Sequence, residues 1–271
     1  MPNQKRARQK AARARKLEEQ RRIARRNSLI KRTAIVVVVA GVILGTAAAI
    51  FSGGGTTTST TTVDENLQHT ADTAAIAAGC PSSPSTPVNT LHWSHAPKMT
   101  INVNRYYYAT FDTTEGTFVV QLNPKEAPVT VNNFVFLADH KYYNCNSFFR
   151  VIPNFMEQGG APQQTDSDST QPGYTIPDEF QKHPGKKTFP LESIVMANTG
   201  AKNSGGSQFF IVTGPEGEEL PNTYTLFGKV VSGLNVPILI QDFGNSSPTS
   251  NGVPPLVVER MLKVTISTKP S

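Results

Sequence analysis

The segment Phe148–Gly160 reads FFRVIPNFMEQGG and contains one arginine, Arg150, within a β-rich run that begins with two phenylalanines. Runs of this composition predict a strand, which we place at Phe148–Ile152. Taken alone, an arginine beside two phenylalanines is typical of a packed surface position. The pair Phe155 and Met156 is equally typical of a core. The segment therefore predicts local structure but, by itself, no chemistry.

Two further blocks follow it in the chain. Met196-Ala197-Asn198 precedes NSGGSQFFI at Asn203–Ile211, and LFGKV stands at Leu226–Val230. Motifs for a serine hydrolase, a nucleotide phosphate loop, a zinc protease or a dinucleotide-binding turn are absent from the sequence. The informative residues are thus apolar and hydrogen-bonding side chains rather than nucleophiles.

In order and spacing, the three blocks resemble the cyclophilin family of peptidyl-prolyl cis-trans isomerases over roughly residues 104–267. The resemblance implies a mainly β fold: a closed, eight-stranded antiparallel barrel capped by two helices. It implies an isomerase that needs no cofactor and acts on proline-containing polypeptides. It also implies catalytic roles for Arg150, Phe155, Gln158 and Asn198, and substrate-binding roles for Met156, Ala197, Gln208, Phe210, Leu220 and Tyr224.

The chemistry of the reaction explains why such residues suffice. Rotation about an X–Pro bond is slow because amide resonance sets a barrier of about 18–20 kcal/mol. A guanidinium that hydrogen-bonds near the prolyl nitrogen favours the twisted state in which resonance is lost. An apolar pocket holds the ring meanwhile, and each 1.4 kcal/mol of selective stabilisation raises the rate about tenfold.

Three positions depart from the pattern of many eukaryotic members. Glu219 stands where those members carry a tryptophan, Tyr224 where they carry a pocket histidine, and Ala161 replaces a common aspartate. The arginine and the main pocket are intact, so we expect activity. A carboxylate cannot replace an indole N–H, so we expect weak binding of the cyclic peptide cyclosporin.

Charge divides the chain sharply. Residues 1–33 contain 13 of the 26 Lys and Arg and two of the 20 acidic residues, a net charge of +11 against −5 for the rest. The folded part is therefore mildly acidic, which argues against a nucleic-acid-binding domain. We interpret residues 1–33 as a basic cytoplasmic tail.

Residues 34–51, AIVVVVAGVILGTAAAIF, are uncharged and span about 27 Å as a helix, enough for a bilayer core. We interpret them as a transmembrane anchor with the N-terminus in the cytoplasm and the catalytic domain outside. A cleaved signal peptide is the alternative, although 33 residues would be a long leading region. Gly41 and Gly45 stand at a spacing that allows an anchor-mediated dimer.

Residues 52–98 are rich in Thr, Ser, Gly and Pro and predict a flexible, low-complexity linker, followed by an isomerase domain at 99–271. The two cysteines, Cys80 and Cys145, are expected either to form a disulfide outside the membrane or to remain as thiols. The segment His92-Trp93-Ser94-His95 fits no common zinc pattern, so we expect no metal.

Periodicity predicts the elements of the domain. An amphipathic helix over residues 127–140 would bury Val131, Phe134, Val135 and Ala138. A second, short helix is predicted at Gly233–Phe243. Strands are predicted at Tyr106–Asp112, Thr117–Leu122, Phe148–Ile152, Ser193–Asn198, Gln208–Thr213, Thr225–Val230 and Leu256–Ile266.

Two other functions are compatible with this reading. The domain could hold proline-containing segments without catalysis, or the chain could be an envelope scaffold that works through its cytoplasmic tail. Arg150 argues for catalysis, because degenerate members of the family often lose this residue.

Overall fold

The computed structural model of the chain describes residues 59–164, 172–182, 185 and 187–269, with side chains from Glu65 onward. Residues Leu67–Ser271 form one compact unit. The predicted tail and anchor, residues 1–51, lie outside the described residues. Within those residues, no helix combines the length and the apolar character needed to cross a membrane.

Eight antiparallel strands form a single sheet in the order β3-β4-β6-β5-β7-β2-β1-β8. The strands are β1 Tyr107–Thr113, β2 Gly116–Leu122, β3 Arg150–Ile152, β4 Met156–Gly159, β5 Ser193–Met196, β6 Phe209–Val212, β7 Thr225–Ser232 and β8 Met261–Ser267. The described helices are α1 Ser59–Ala77, α2 Pro128–Asp139, α3 Pro215–Glu218 and α4 Asn235–Gln241. The prediction of a mainly β fold with eight antiparallel strands is confirmed.

Helix α2 fills one end of the curved sheet. Pro128 stands in its first turn, where a missing N–H costs nothing, and the Glu179 carboxylate accepts the N–H groups of Val129 (2.9 Å) and Thr130 (2.8 Å). The four apolar residues predicted to face inward are buried. Phe134, one of them, lies 4.8 Å from the ring of Tyr143 and 5.4 Å from that of Phe227. The helix therefore closes the aromatic core inside the sheet.

The sheet does not close into a regular barrel, so the prediction of a closed barrel is wrong. Its edges, β3 and β8, are joined only through an isolated bridge between Ser147 and Arg260, just ahead of the two strands. One supporting bond runs from the Phe148 N–H to the Glu259 carbonyl, at 2.9 Å. In the register of this bridge, β8 would face residues 140–146 and β3 would face residues 255–257. Neither stretch forms a strand, so no longer ladder forms along this seam.

Residues 67–98, which the sequence assigns to a linker, pack on the domain instead. We call them the N-terminal strap. The part of α1 from Leu67 onward buries Ala71 and Ala75, and the Gln68 side chain accepts the N–H of Val258 at 2.7 Å. Composition did not reveal this packing, because much of it depends on polar contacts and a disulfide with residues far along the chain.

Arg260 is the main anchor of this strap. It is 1 % exposed, and its guanidinium forms a salt bridge with Asp72 and donates to the Pro81 carbonyl at 2.6 Å. Beside it, Cys80 and Cys145 form a disulfide with a Cα–Cα distance of 5.4 Å. Farther along the strap, the Trp93 ring lies 5.1 Å from that of Phe136 in α2. The strap thus runs from the seam to the outer side of α2.

Two carboxyl groups lie close together inside the seam. Glu157 of β4 is fully buried, and burial together with the nearby Glu259 carboxylate raises its pKa well above the ordinary value. Burial likewise raises the pKa of Glu259 to about 7, and the nearby carboxylates of Glu115 and Asp72 add to the rise. The hydroxyl of Thr114, which donates to the Glu259 carboxylate, and the charge of Arg260 act in the opposite direction. Both side chains therefore keep their proton to a higher pH in the folded protein than in the unfolded chain.

These pKa shifts predict how stability depends on pH. Between the ordinary glutamate pKa of 4.5 and about 7, unfolding releases the proton that folded Glu259 retains, so the free energy of unfolding falls as pH rises. The Glu259 contribution to this fall is about 3 kcal/mol, and the raised pKa of Glu157 acts in the same direction. The measurement is denaturant unfolding at pH 5 and pH 8, followed by fluorescence of Trp93, the single tryptophan.

Glu259→Gln should lose less stability than the wild type over the same pH interval, because its amide keeps an acceptor for Thr114 but does not titrate. Parallel pH profiles for the two proteins would contradict the assignment.

Candidate active site

A row of three side chains crosses the outer face of strands β3, β4 and β6. Arg150 is paired with Gln158 in the β3–β4 register, and Gln158 is paired with Phe210 of β6. Nη1 of Arg150 donates to Oε1 of Gln158 at 3.0 Å, and Nε2 of Gln158 donates to Oε1 of Gln208 at 2.9 Å. Three predicted site residues are thereby joined in one hydrogen-bonded chain.

Asn251 holds the other side of the arginine. Nε of Arg150 donates to its main-chain oxygen at 3.0 Å, and Nη2 donates to its side-chain Oδ1 at 2.9 Å. Asn251 has a φ of +50°, which asparagine tolerates better than most residues. The following Gly252 is packed so closely that a Cβ there would lie 2.5 Å from the Ile152 side chain. Sequence reasoning missed this residue, although its Asn-Gly pair is a turn signal.

An apolar cluster, which we call the pocket cluster, adjoins the row. Met156 and Gln158 alternate with the inward-facing Glu157 along β4, so they share the outer face about 7 Å apart. The side chains that cluster there are Met156, Phe189, Val195, Phe210 and Val212, with the partly exposed Ile152, Phe155, Leu191, Ala197, Leu220, Tyr224 and Leu226 packed against them. Of the residues predicted to bind substrate, all but Gln208 belong to this cluster, and Phe155 belongs to it as well.

Aromatic contacts define one wall of the pocket. The Tyr224 ring meets the Phe210 ring edge-on at 5.5 Å and lies 6.3 Å from the ring of Phe189. Phe189 is fully buried, and sequence reasoning missed it because its flanking residues show no strand or helix periodicity. Tyr224 therefore packs on both Phe210 and Phe189 at the edge of the cluster.

Asn198 lies just beyond β5, and its side chain is engaged within the protein. Nδ2 donates to the Thr223 carbonyl at 2.8 Å, and Oδ1 accepts the Gly200 N–H at 3.0 Å. The neighbouring Ala197 donates its N–H to the Gln208 carbonyl at 2.9 Å. The Asn198 side chain thus joins two loops beside the pocket.

Helix α3 borders the pocket on the side of Phe155. A Cβ at Gly217 would lie 2.6 Å from the Phe155 carbonyl oxygen, and one at Gly214 would lie 1.9 Å from main-chain atoms of Asn154. Only glycine permits this approach. It places Glu219, which is exposed, directly before Leu220 of the pocket cluster.

The site thus places a guanidinium held by two neighbours beside an apolar cluster. A family model described as cyclophilin type peptidyl-prolyl cis-trans isomerase/CLD matches residues 108–265. The chain belongs to this family, so the family and enzyme class predicted from the sequence are confirmed. Over the described ranges, no three His, Cys, Asp or Glu side chains are grouped so that they could hold a metal ion.

Curated relatives agree with this assignment. The chain is 46% identical over 114 residues to peptidyl-prolyl cis-trans isomerase B of Bacillus subtilis, covering 42% of this chain and 76% of the relative. It is 44% identical over 127 residues to peptidyl-prolyl cis-trans isomerase-like 1 of Aspergillus fumigatus, covering 46% and 76%. A crystal structure of a Cryptosporidium parvum cyclophilin type isomerase matches with a TM-score of 0.54 at 24% identity, covering 61% of this chain and 99% of that one; this likeness concerns the fold alone.

The contacts of Asn251 predict that it positions the arginine. Asn251→Gly removes the acceptor of Nη2 while tolerating the positive φ, and we expect kcat/KM to fall about 5- to 30-fold, the loss of one charge-assisted hydrogen bond. The measurement is exchange NMR on a proline peptide. Asn251→Asp keeps an oxygen at this position and should restore most of the activity; equal losses in both variants would contradict a positioning role.

Proposed function

We propose that the row formed by Arg150, Gln158 and Gln208 carries the isomerase activity, with the proline ring bound in the adjoining pocket. The observation that supports this most strongly is the fixed arginine. Two neighbours, Asn251 and Gln158, hold its guanidinium on separate sides. A donor whose orientation is already set needs little reorganisation when charge develops at the prolyl nitrogen.

Each part of the site then has a distinct task. Arg150 hydrogen-bonds near the prolyl nitrogen and favours the twisted amide. Phe155, Met156 and Phe210 grip the ring while the carbonyl rotates. Gln158 and Gln208 hold the substrate backbone. Because the Asn198 side chain is engaged with Thr223 and Gly200, the contribution we assign to Asn198 comes from its main chain.

Arg150→Ala should lower kcat/KM for X–Pro isomerisation by about 100-fold or more, which is typical for removing one transition-state donor. The assay is exchange NMR on a proline peptide with the full chain in a nonionic detergent, without added metal. Near-ultraviolet circular dichroism should show that the variant stays folded. If folded Arg150→Ala turns over the peptide as fast as the wild type, the mechanism is wrong. If the wild type shows no turnover, a non-catalytic binding module is favoured.

We also propose that the enzyme is anchored in the cytoplasmic membrane by residues 34–51 and assists the folding of proteins outside it. Residues 1–33 carry 13 Lys and Arg, whereas residues 52–85 carry none, which favours an N-in orientation. The disulfide between Cys80 and Cys145 suits an oxidising compartment. Gly41 and Gly45 would lie on one face of the anchor and could pair two copies.

This topology is tested by protease treatment of intact spheroplasts. We expect digestion of the catalytic domain and protection of the basic tail, since only the domain would face the protease. A protected domain would overturn the orientation, and a soluble form beginning near Ser52 would show that the anchor is cleaved.

We propose weak binding of cyclosporin as a consequence of Glu219. Its exposed carboxylate lies directly before Leu220 of the pocket, and covering it with an apolar ligand costs desolvation energy without a partner. Glu219→Trp should tighten inhibition about tenfold or more, since an indole restores both a donor and apolar area. Titration in the isomerase assay measures this, with the exposed Glu126→Trp as a control expected to match the wild type. Tight inhibition of the wild type would rule out this role.

A further inference from the structure

The segment that enters β6 is fixed from inside the domain just ahead of Gln208, one of the three side chains of the row. The carbonyls of residues 205–207 each accept a hydrogen bond from another part of the protein. The carbonyl of Gly206, two residues before Gln208, accepts from Nδ2 of Asn133 in helix α2 at 2.7 Å. A buried contact thus connects helix α2 to the row.

The Asn133 amide is fully buried, and its orientation is set by Tyr174. A main-chain carbonyl can only accept, so Nδ2 must face Gly206 and Oδ1 must face the Tyr174 hydroxyl, which donates to it at 2.7 Å. A buried carbonyl oxygen without a donor is costly, so this hydroxyl keeps the amide turned towards Gly206. Burial, with a smaller contribution from Tyr142, raises the pKa of Tyr174 above its ordinary value, so the hydroxyl keeps the proton that it donates.

Tyr174 is in turn placed by the N-terminal strap. The Trp93 N–H donates to the Pro172 carbonyl at 2.8 Å. At Gly173, whose φ is +92°, a Cβ would lie 2.5 Å from the ring of His92. The main chain immediately before Tyr174 is therefore packed closely against the strap.

We infer that Tyr174 and Asn133 are positioning residues that fix the Gln208 side chain within the row. They act through Gly206, and both lie outside the pocket cluster. The inference rests on the proposed function, which assigns the substrate backbone to Gln158 and Gln208. Because Oε1 of Gln208 accepts from Nε2 of Gln158 at 2.9 Å, a displaced Gln208 also weakens the hold on Gln158.

Tyr174→Phe removes the hydroxyl and keeps the ring. Without its donor, the Asn133 amide no longer holds Gly206 in place, and we expect kcat/KM for a proline peptide to fall about three- to tenfold, the effect of one hydrogen bond. The assay is exchange NMR with the full chain in a nonionic detergent. Tyr108→Phe is the matched control, because it removes a hydroxyl that accepts from Nε2 of Gln121 at 3.0 Å on strand β1, and it should keep wild-type turnover.

A double-mutant cycle separates positioning from a defect elsewhere in the protein. If Tyr174 acts through Gln208, then Tyr174→Phe has nothing left to position in the Gln208→Ala background and should change kcat/KM by less than about twofold. A defect unrelated to Gln208 would appear in full on both backgrounds. Denaturant unfolding, followed by Trp93 fluorescence, should show that every variant is folded under the assay conditions.

The Gln208 side chain can also be observed directly by NMR. With isotope-labelled glutamine, the side-chain amide resonances of Gln208 are assigned by their loss in Gln208→Ala. They should move in Tyr174→Phe and stay in place in Tyr108→Phe. This readout does not depend on turnover, so it tests the position of Gln208 even where a variant is too slow to assay.

Each outcome bears on one claim. Gln208 resonances that stay in place in Tyr174→Phe overturn the inference, as does an equal loss of kcat/KM on the two backgrounds or a similar loss in Tyr108→Phe. Resonances that move while Tyr174→Phe and Gln208→Ala both keep wild-type turnover count against the proposed role of Gln208 instead. Absence of turnover by the wild type overturns the proposed function, and the resonances then still decide whether Tyr174 positions Gln208.

Discussion

Arg260 joins two parts of the protein that would otherwise be separate. Its main chain bridges to Ser147 and so connects the two free edges of the sheet, while its side chain binds the strap through Asp72 and Pro81. A guanidinium buried to this degree is costly to fold unless it is paired. The sheet can therefore keep this residue in its seam only if the strap is in place, which makes residues 67–98 part of the folded unit.

The seam leads directly to the catalytic face. Ser147 stands three residues before Arg150, and its N–H and hydroxyl both donate to Oε1 of Gln164, at 2.7 and 2.8 Å. Gln164 in turn donates to the carbonyl of Cys145 at 3.2 Å. The segment entering β3 is thus fixed before the arginine emerges. Side chains alternate along β4, so Glu157 points into the seam whereas Gln158 lies on the outer face and accepts a hydrogen bond from Arg150.

The grouping of residues at the proposed site could be predicted from the sequence more readily than the residues that support them. Arg150, Met156 and Phe210 fall in blocks of distinctive order and spacing, so their grouping could be anticipated. Asn251 could not, because it lies 101 residues from the arginine and only the fold brings them together. The packing of the strap could not be predicted for a related reason. Composition indicates how much apolar area a segment can bury, but it does not reveal the salt bridge that Asp72 forms with the distant, buried Arg260.

The open seam could not be predicted either, because it also depends on contacts between residues that are distant in the sequence. Counting strands predicts how many there are, but closure depends on register. The bridge between Ser147 and Arg260 would set β8 against residues 140–146, which form no strand. Pocket residues outside the recognised blocks were missed likewise, and Phe189 shows why. It stands in an irregular segment where no periodicity reveals burial, yet it lies under the pocket.

The disulfide also decides how the domain would carry mechanical load. Once the contacts of Gln68 and Asp72 have broken, tension applied to the chain ahead of Cys80 passes through the sulfur atoms to Cys145, 65 residues later. Strands β1 and β2 and helix α2 lie inside that covalent loop, so the force bypasses them. It enters the fold five residues before Arg150 instead. Pulling and heating would therefore test different halves of the molecule: heat melts the whole core, whereas a tether strains first the strands that build the catalytic face.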